Sequence, residues 1–76
     1  MENTKNGTIA EVYKNLSADE KISLVNDICI NGRVATSTAY AWVNGKRRPS
    51  YLYQEMIRKT LSRKFNIKLP TAILFP

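Results

Sequence analysis

Residues 36–50, TSTAYAWVNGKRRPS, place hydroxyl and amide side chains within ten residues before three consecutive cations. Serine and threonine hydroxyls can donate to or accept from the edges of nucleic acid bases, and lysine and arginine neutralise phosphates. The simpler alternative is a solvated turn whose basic character serves no ligand. The choice between them depends on the helices that would hold the stretch.

The positive charge of the chain is concentrated in its second half. The 76 residues carry a net charge of +6. Residues 1–32 hold three cations and five acids, a net charge of −2, whereas residues 33–76 hold nine cations and one acid, a net charge of +8. Because solubility alone gives no reason to sort the signs in this way, we expect one face of the molecule to bind a polyanion.

Composition disfavours several other classes of protein. The chain has no histidine and a single cysteine, Cys29, so it cannot form an internal disulfide and offers few ligands for zinc. We interpret Cys29 as a packed core thiol, and we expect no enzymatic activity, cofactor, metal or small-molecule substrate. No apolar run has the length of a membrane helix, and the N-terminus lacks the charged-then-apolar pattern of a signal peptide. We therefore expect a cytoplasmic protein without a membrane partner.

Two capping-box patterns open the first two predicted helices. A threonine or serine followed three residues later by glutamate caps a helix and receives a return contact. Thr8 starts a helix over about residues 8–16, and Ser17 starts one over about residues 18–30. We expect the second helix to end at Asn31-Gly32 in the left-handed conformation that both residues tolerate. The predicted buried positions are Ile9, Val12, Tyr13, Leu16, Ile22, Val25, Ile28 and Cys29, with Leu24 beside them.

Two further helices complete the predicted domain. Thr36 is the expected cap of a short helix over about residues 36–43, which stops at Asn44-Gly45. Ser50 is the expected cap of a helix over about residues 51–63. The pattern therefore predicts one all-α domain, a small bundle of four helices. The predicted inward-facing residues are Ala39, Trp42 and Val43 on the third helix and Tyr53, Met56, Ile57 and Leu61 on the fourth.

The two ends of the chain are less regular than its middle. Residues 1–7 are expected to be flexible, and residues 66–76 form an apolar tail that leaves room for a fifth helix. Ile73, Leu74 and Phe75 could fold back over the helices of their own chain, or they could pair with a second chain in a homodimer. The pattern slightly favours packing within the chain.

The second and third predicted helices, joined by a tight glycine-containing connection and followed by cations, describe a helix-turn-helix arrangement. The major groove of a DNA duplex admits one helix. The outward face of the third helix would contact base edges, and the cations after it would lie where the phosphate strand passes. The predicted base-reading residues are Thr36, Ser37, Tyr40 and Ala41, and the predicted phosphate-binding residues are Lys46, Arg47 and Arg48.

Residues 34–61 resemble the phage-repressor-like (Cro/cI-type) helix-turn-helix domains. That family shows the pattern Val-Ser-x-x-Thr-x-x-x-Trp-x-x-Gly-x-x-x-Pro-Ser, followed by a helix with an isoleucine and a leucine. Upstream, Ile28-Cys29 occupies the site of a Leu-Ala pair that lets the two motif helices approach. The positions that match without a gap are Val34, Thr38, Trp42, Gly45, Pro49, Ser50, Ile57 and Leu61.

The resemblance implies a lambda-repressor-like fold and a sequence-specific regulator of transcription that binds double-stranded DNA. Such a protein would come from a bacterium, a phage or another mobile element and act at the nucleoid. The same four base-reading residues are implied, and Asn44 is implied as a phosphate contact beside Lys46 and Arg47. We expect Arg58 and Lys59 to extend the phosphate-binding set.

Three positions depart from the family pattern. Ala35 replaces a serine before the recognition helix, so we expect the cap to move to Thr36. The turn glycine aligns with Arg33, whereas this chain has its glycine one residue earlier. The family's glutamine at the start of the first motif helix aligns with Val25, which removes one customary DNA contact.

Two other functions remain open from the sequence. A basic protein-interaction module would dock on an acidic partner, with the tail as its apolar anchor and no preference among DNA duplexes. An RNA-binding domain would prefer single strands or loops and stack bases on Tyr40, Tyr51 or Tyr53. Trp42 could also serve as a stacking platform, but its spacing with Ala39 predicts a core position.

Overall fold

Five α-helices make up the regular secondary structure of the described chain. The computed structural model describes residues 7–76, and within them it contains helices and no strand. The predicted all-α class is confirmed. The flexible segment expected over residues 1–7 lies outside the described residues, apart from Gly7, which is buried. The helices are α1 (Ile9–Lys14), α2 (Ala18–Gly32), α3 (Thr36–Val43), α4 (Tyr51–Phe65) and α5 (Thr71–Leu74).

The core lies between α2, α3 and α4. α2 packs against both α3 and α4, α1 packs on α3, and α5 packs on α4. Burying each large aliphatic side chain of this core contributes roughly 1.5–3 kcal/mol. The inward-facing residues predicted for α3 are confirmed, as are Ile57 and Leu61 of α4, while Tyr53 and Met56 are half-buried. The core residues are Ile9, Leu24, Val25, Ile28, Ala39, Trp42, Val43, Ile57, Leu61, Leu74 and Phe75.

The buried face of α2 includes the predicted Val25 and Ile28 but does not extend to Ile22. Leu24 has no exposed surface, whereas Ile22 keeps 57% of its surface exposed. The prediction that Ile22 belongs to the buried stripe was therefore wrong. Positions 22 and 24 lie about 200° apart around a helix, so an arc that buries Leu24 between α3 and α4 turns Ile22 outward. Sequence spacing alone did not show which side of α2 faces its two neighbours.

Side-chain caps are present at the starts of α1 and α2. Thr8 Oγ1 accepts a hydrogen bond from the backbone N–H of Glu11 at 3.4 Å. Ser17 and Glu20 form the complete capping box, in which Ser17 Oγ accepts from the Glu20 N–H at 3.2 Å. Glu20 Oε1 accepts in return from the Ser17 N–H at 2.9 Å. The predicted capping box is confirmed at α2. At α1 the Thr8 cap is confirmed, but the described residues show no return bond to the Glu11 side chain.

Neither α3 nor α4 begins with a side-chain cap. The N-cap residue of α3 is Ala35, and Thr36 is the first residue of the helix, so the prediction of Thr36 as the cap was wrong. Ser50 stands at the N-cap position of α4 but makes no cap hydrogen bond through its side chain. α4 also continues to Phe65, two residues beyond the predicted end.

α2 ends at Gly32, but the left-handed residue is Arg33 and not the expected Asn31 or Gly32. Gly32 is the last helical residue, and Arg33 takes the left-handed conformation with φ 54° and ψ 47°. The prediction that Asn31-Gly32 would hold the left-handed turn was wrong. A Cβ atom added to Gly32 would lie 3.2 Å from Tyr53 Cε1 and 3.3 Å from Met56 Cε. Gly32 therefore serves the close packing of α2 against α4.

The C-terminal tail packs within its own chain. Leu74 and Phe75 are buried, and α5 supplies the fifth helix that the tail left room for. The tail begins where Asn66 ends α4 in the left-handed conformation, with φ 57°. Ile73 stays 40% exposed. Two of the three side chains that could have paired with a second chain are thus used inside the fold.

Candidate nucleic-acid interface

α3 presents one buried face and one accessible face. Its buried residues are three apolar side chains, whereas the accessible face carries the four predicted base-reading residues. Thr36 and Ser37 are exposed, Tyr40 is 40% exposed, and Ala41 is half-buried. The structure therefore brings these four residues together, and Ala41 offers the least surface to a ligand.

Trp42 fixes α3 from the inside. Its ring packs against the ring of Tyr53 on α4, with 4.8 Å between the ring centroids and a tilt of 38°. Only 6% of Trp42 is exposed. Its predicted place in the core is confirmed, and Trp42 cannot serve as a stacking platform for bases. Tilted aromatic pairs of this kind add about 0.5–1.5 kcal/mol beyond the buried area.

Residues of α2 and α1 lie near two of the predicted base-reading side chains. The thiol of Cys29 lies 3.9 Å from Thr36 Oγ1, within reach of a weak sulfur hydrogen bond. Burial, and secondarily the neighbouring Tyr40, raise the pKa of the Tyr13 hydroxyl. Thr36 and Tyr40 both remain exposed beside these neighbours.

The basic loop, residues 44–48, is fixed on the last turn of α3. Gly45 takes the left-handed conformation, with φ 77°. Its N–H donates to the carbonyl of Trp42 at 3.1 Å, and the N–H of Lys46 donates to the carbonyl of Ala41 at 2.9 Å. These two bonds form a Schellman motif. The N–H of Arg47 also reaches the Ala41 carbonyl, at 3.2 Å, so the backbone that carries the cations is anchored to the helix.

The three cations of the basic loop all have exposed side chains. Among residues 7–76, no acidic side chain lies within 4.0 Å of their charged nitrogens. Arg48 Nη1 donates to the backbone oxygen of Pro76 at 3.0 Å. Asn44 Nδ2 donates to the carbonyl of Tyr40 at 2.9 Å, which engages one of its two amide hydrogens. Lys46 and Arg47 are therefore the most accessible donors of the loop.

Arg58 forms a salt bridge with Glu55, a residue of its own helix. Its Nη2 and Nε lie 2.8 Å and 3.1 Å from Glu55 Oε1. The Tyr51 hydroxyl donates to Glu55 Oε2 at 3.0 Å. The bonds from Arg58, and then from Tyr51, hold the pKa of the Glu55 carboxyl below its usual value. The charge of Arg58 is thus largely balanced before any phosphate approaches.

The structure separates the predicted phosphate-binding residues into two places. Residues 44–48 line a cavity of about 470 Å³ together with the start of α1 and the end of the tail. Lys59 instead lines a groove along α4 with Arg63 and with Asn31 of α2. Lys59 is therefore not grouped with the basic loop.

The sequence did not lead us to predict the contact of Arg48 with Pro76 or the salt bridge of Arg58 with Glu55. The Glu55–Arg58 pair was predictable from the sequence, because residues three apart on a helix are neighbours. The contact of Arg48 with Pro76 had none, since the two residues are 28 positions apart and meet only through the fold of the tail.

The chain matches no family model, no curated protein and no solved structure. What the site can do therefore rests on its own geometry. A face of small and polar side chains on α3 continues directly into an anchored loop of exposed cations. This combination suits a ligand that offers hydrogen-bonding edges beside a line of negative charge.

Proposed function

We propose that this protein is a sequence-specific regulator of transcription that binds double-stranded DNA through a lambda-repressor-like helix-turn-helix. The observation that carries the proposal is the continuity of the accessible face of α3 with the basic loop. α2 and α3 pack together and are joined by the three residues 33–35, which supports a helix-turn-helix reading. α3 would lie in the major groove with its buried face toward the protein.

The proposed contacts divide between recognition and positioning. Thr36, Ser37 and Tyr40 carry hydroxyls that reach base edges, and the methyl of Ala41 can touch a thymine methyl. A good base contact discriminates by about 1–3 kcal/mol. The basic loop contacts phosphates and fixes the orientation of α3 without reading sequence.

Within the phosphate-binding set, the loop carries the larger share. Lys46, Arg47 and Arg48 stand together and exposed, whereas Arg58 is paired with Glu55. Three neutralised phosphates give a slope of log affinity against log salt of roughly −2.7, and two more from Arg58 and Lys59 would give roughly −4.5. We expect a slope nearer to roughly −2.7, the value for three neutralised phosphates.

The salt dependence of duplex binding tests the phosphate half of the proposal. Arg47→Ala should make the slope shallower by about 0.9, because it removes one phosphate contact. Lys68→Ala is the matched control, since Lys68 is also exposed but lies between α4 and α5. Fluorescence anisotropy with one labelled duplex over a series of salt concentrations measures both. An unchanged slope for Arg47→Ala, or an equal effect of Lys68→Ala, contradicts the proposal.

Selection of a preferred site from random duplexes tests the recognition half. Tyr40→Ala should weaken binding to the selected site by about 5- to 150-fold, the equivalent of 1–3 kcal/mol, and leave non-specific binding unchanged. Tyr51→Ala removes an exposed tyrosine from α4. It should change neither the affinity for the selected site nor non-specific binding. Tighter binding to single-stranded RNA, lost in Tyr51→Ala, would favour an RNA-binding domain instead.

A further inference from the structure

α2 turns an apolar and acidic face toward solvent. Ile22, Asn26 and Ile30 follow each other at intervals of four residues, so they share one side of the helix. Ile22 is 57% exposed and Ile30 is 72% exposed. Asp19 continues the same face toward the start of α2 and is also exposed. We call these four residues the α2 outer face.

α4 carries a groove of the opposite charge. The groove has a volume of about 430 Å³ and runs beside the end of α2. Leu52 at one end is 80% exposed, and Arg63 at the other end is an exposed cation. The residues that line this α4 groove are Asn31, Leu52, Glu55, Met56, Lys59, Thr60 and Arg63.

The two surfaces carry charges of opposite sign, and Asp19, Lys59 and Arg63 form no salt bridge within the described chain. Among residues 7–76, no cation lies within 4.0 Å of the Asp19 carboxylate, and no acid lies within that distance of Lys59 or Arg63. The remaining acid in the α4 groove, Glu55, is satisfied by Arg58. A groove with an exposed leucine at one end and a cation at the other fits a helix face with an exposed isoleucine at one end and a carboxylate at the other, and Ile22 lies between these two ends.

We propose that the α2 outer face of one copy of this chain docks in the α4 groove of a second copy. The two surfaces match in length. Asp19 to Ile30 and Leu52 to Arg63 each span eleven positions, or about 16 Å of helix. An antiparallel alignment brings Ile30 against Leu52 and Asp19 against Arg63 at the same time. The parallel alignment would set Asp19 against Leu52 and leave Arg63 facing Ile30.

This contact shares only Lys59 with the residues predicted to bind DNA. It uses neither the accessible face of α3 nor the basic loop. It also differs from a dimer through the tail, because Leu74 and Phe75 are buried within their own chain. A second copy is the occupant because the chain itself carries a surface of matching length, charge and apolar content.

A mixing experiment tests the docking of one copy on another. Ile30→Lys disables the α2 outer face, and Leu52→Lys disables the α4 groove; both positions are exposed, so both variants should fold as wild type by circular dichroism. In sedimentation equilibrium at high protein concentration and low salt, the wild type should exceed its monomer mass of 8.7 kDa. Each variant alone should sediment as a monomer. The equimolar mixture should form a one-to-one dimer, since each partner supplies one intact surface.

Ile73→Lys is the matched control, because Ile73 is an exposed isoleucine outside both surfaces. It should associate as the wild type does. A monomeric wild type overturns the inference, as does a mixture that stays monomeric. Dissociation by Ile73→Lys instead would assign the contact to the tail. Single-site duplex affinity of Ile30→Lys should be unchanged, so that failure of this contact and failure of DNA binding are separate results.

Discussion

The two ends of α3 are built in different ways. At its C-terminal end, Gly45 supplies the left-handed residue, and two loop N–H groups bind the carbonyls of the last turn. At its N-terminal end, Arg33 takes the left-handed conformation without being glycine or asparagine, and Ala35 leaves the N-cap position without a side-chain acceptor. The residue types therefore suit the backbone conformation at the C-terminal end of α3, its exit. They suit it poorly at the N-terminal end, its entry.

This difference supports the proposed role of the basic loop, at the C-terminal end of α3, in binding phosphates. The exit holds the basic loop in one arrangement, and a preorganised donor set binds without the cost of ordering it. The entry holds Arg33 and Ala35 in places where other residue types would be more stable. We therefore expect substitutions at the exit to cost stability and substitutions at the entry to increase it.

The largest effect is expected at the exit. Gly45→Ala should lower the free energy of unfolding by roughly 1–2 kcal/mol, because φ 77° is unfavourable for alanine. Its Cβ would also lie 3.3 Å from the Cβ of Ala10. Urea denaturation followed by circular dichroism measures the change. Lys46→Ala, the neighbouring control, should stay within about 0.5 kcal/mol of wild type; equal losses for both would refute the special role of Gly45.

A smaller effect of opposite sign is expected at the N-cap of α3. Ala35→Ser should raise the free energy of unfolding by about 1 kcal/mol, because serine can accept from an unpaired N–H of the first turn. Ser50→Ala tests the same idea in reverse at α4. Since Ser50 makes no side-chain cap bond, that variant should be nearly neutral. Destabilisation by Ala35→Ser would mean that the entry already satisfies its backbone donors.

A still smaller gain is expected in the turn between α2 and α3. Arg33→Gly should stabilise the fold by about 0.5 kcal/mol, since relief of the left-handed strain exceeds the entropy that glycine adds to the unfolded chain. Arg33→Lys keeps the strain and should be neutral. Thermal unfolding of the three proteins side by side compares them, and a loss of stability in the glycine variant would show that the arginine side chain contributes a contact.

The smallest change in stability is expected at Thr36. Thr36→Ala should alter the free energy of unfolding by less than about 0.5 kcal/mol, because Thr36 is exposed and does not cap α3. Its affinity for a selected duplex should nevertheless fall. Parallel measurement of urea unfolding and duplex binding separates the two roles, and a large loss of stability would restore Thr36 as a structural residue.

Local signals predicted much of the fold. The cap at Thr8 and the capping box at Ser17 placed the starts of α1 and α2, and the stop at Asn44-Gly45 placed the end of α3. Each of these signals depends on residues only a few positions apart, so it can be recognised in the sequence alone. The inward position of Trp42 followed from the same helical spacing.

The errors arose where distant residues decide the outcome. Gly32 stays helical because Tyr53 and Met56 pack against it, and the left-handed residue moves to Arg33. Ile22 faces solvent because α3 and α4 both lie on the side of Leu24. For the candidate site, the accessible face of α3 was predictable from its period, whereas the separation of Lys59 from the basic loop required the packing of α4 on α2.

The most direct test of the central claim is an amide-shift NMR titration of the isotope-labelled protein with a mixed-sequence DNA duplex at low salt. If α3 and the basic loop form the DNA interface, the shifts will be confined to residues 36–48 and their immediate neighbours, and they will fade as salt is added. Shifts centred on residues 67–75, or no shifts at all, would contradict the assignment.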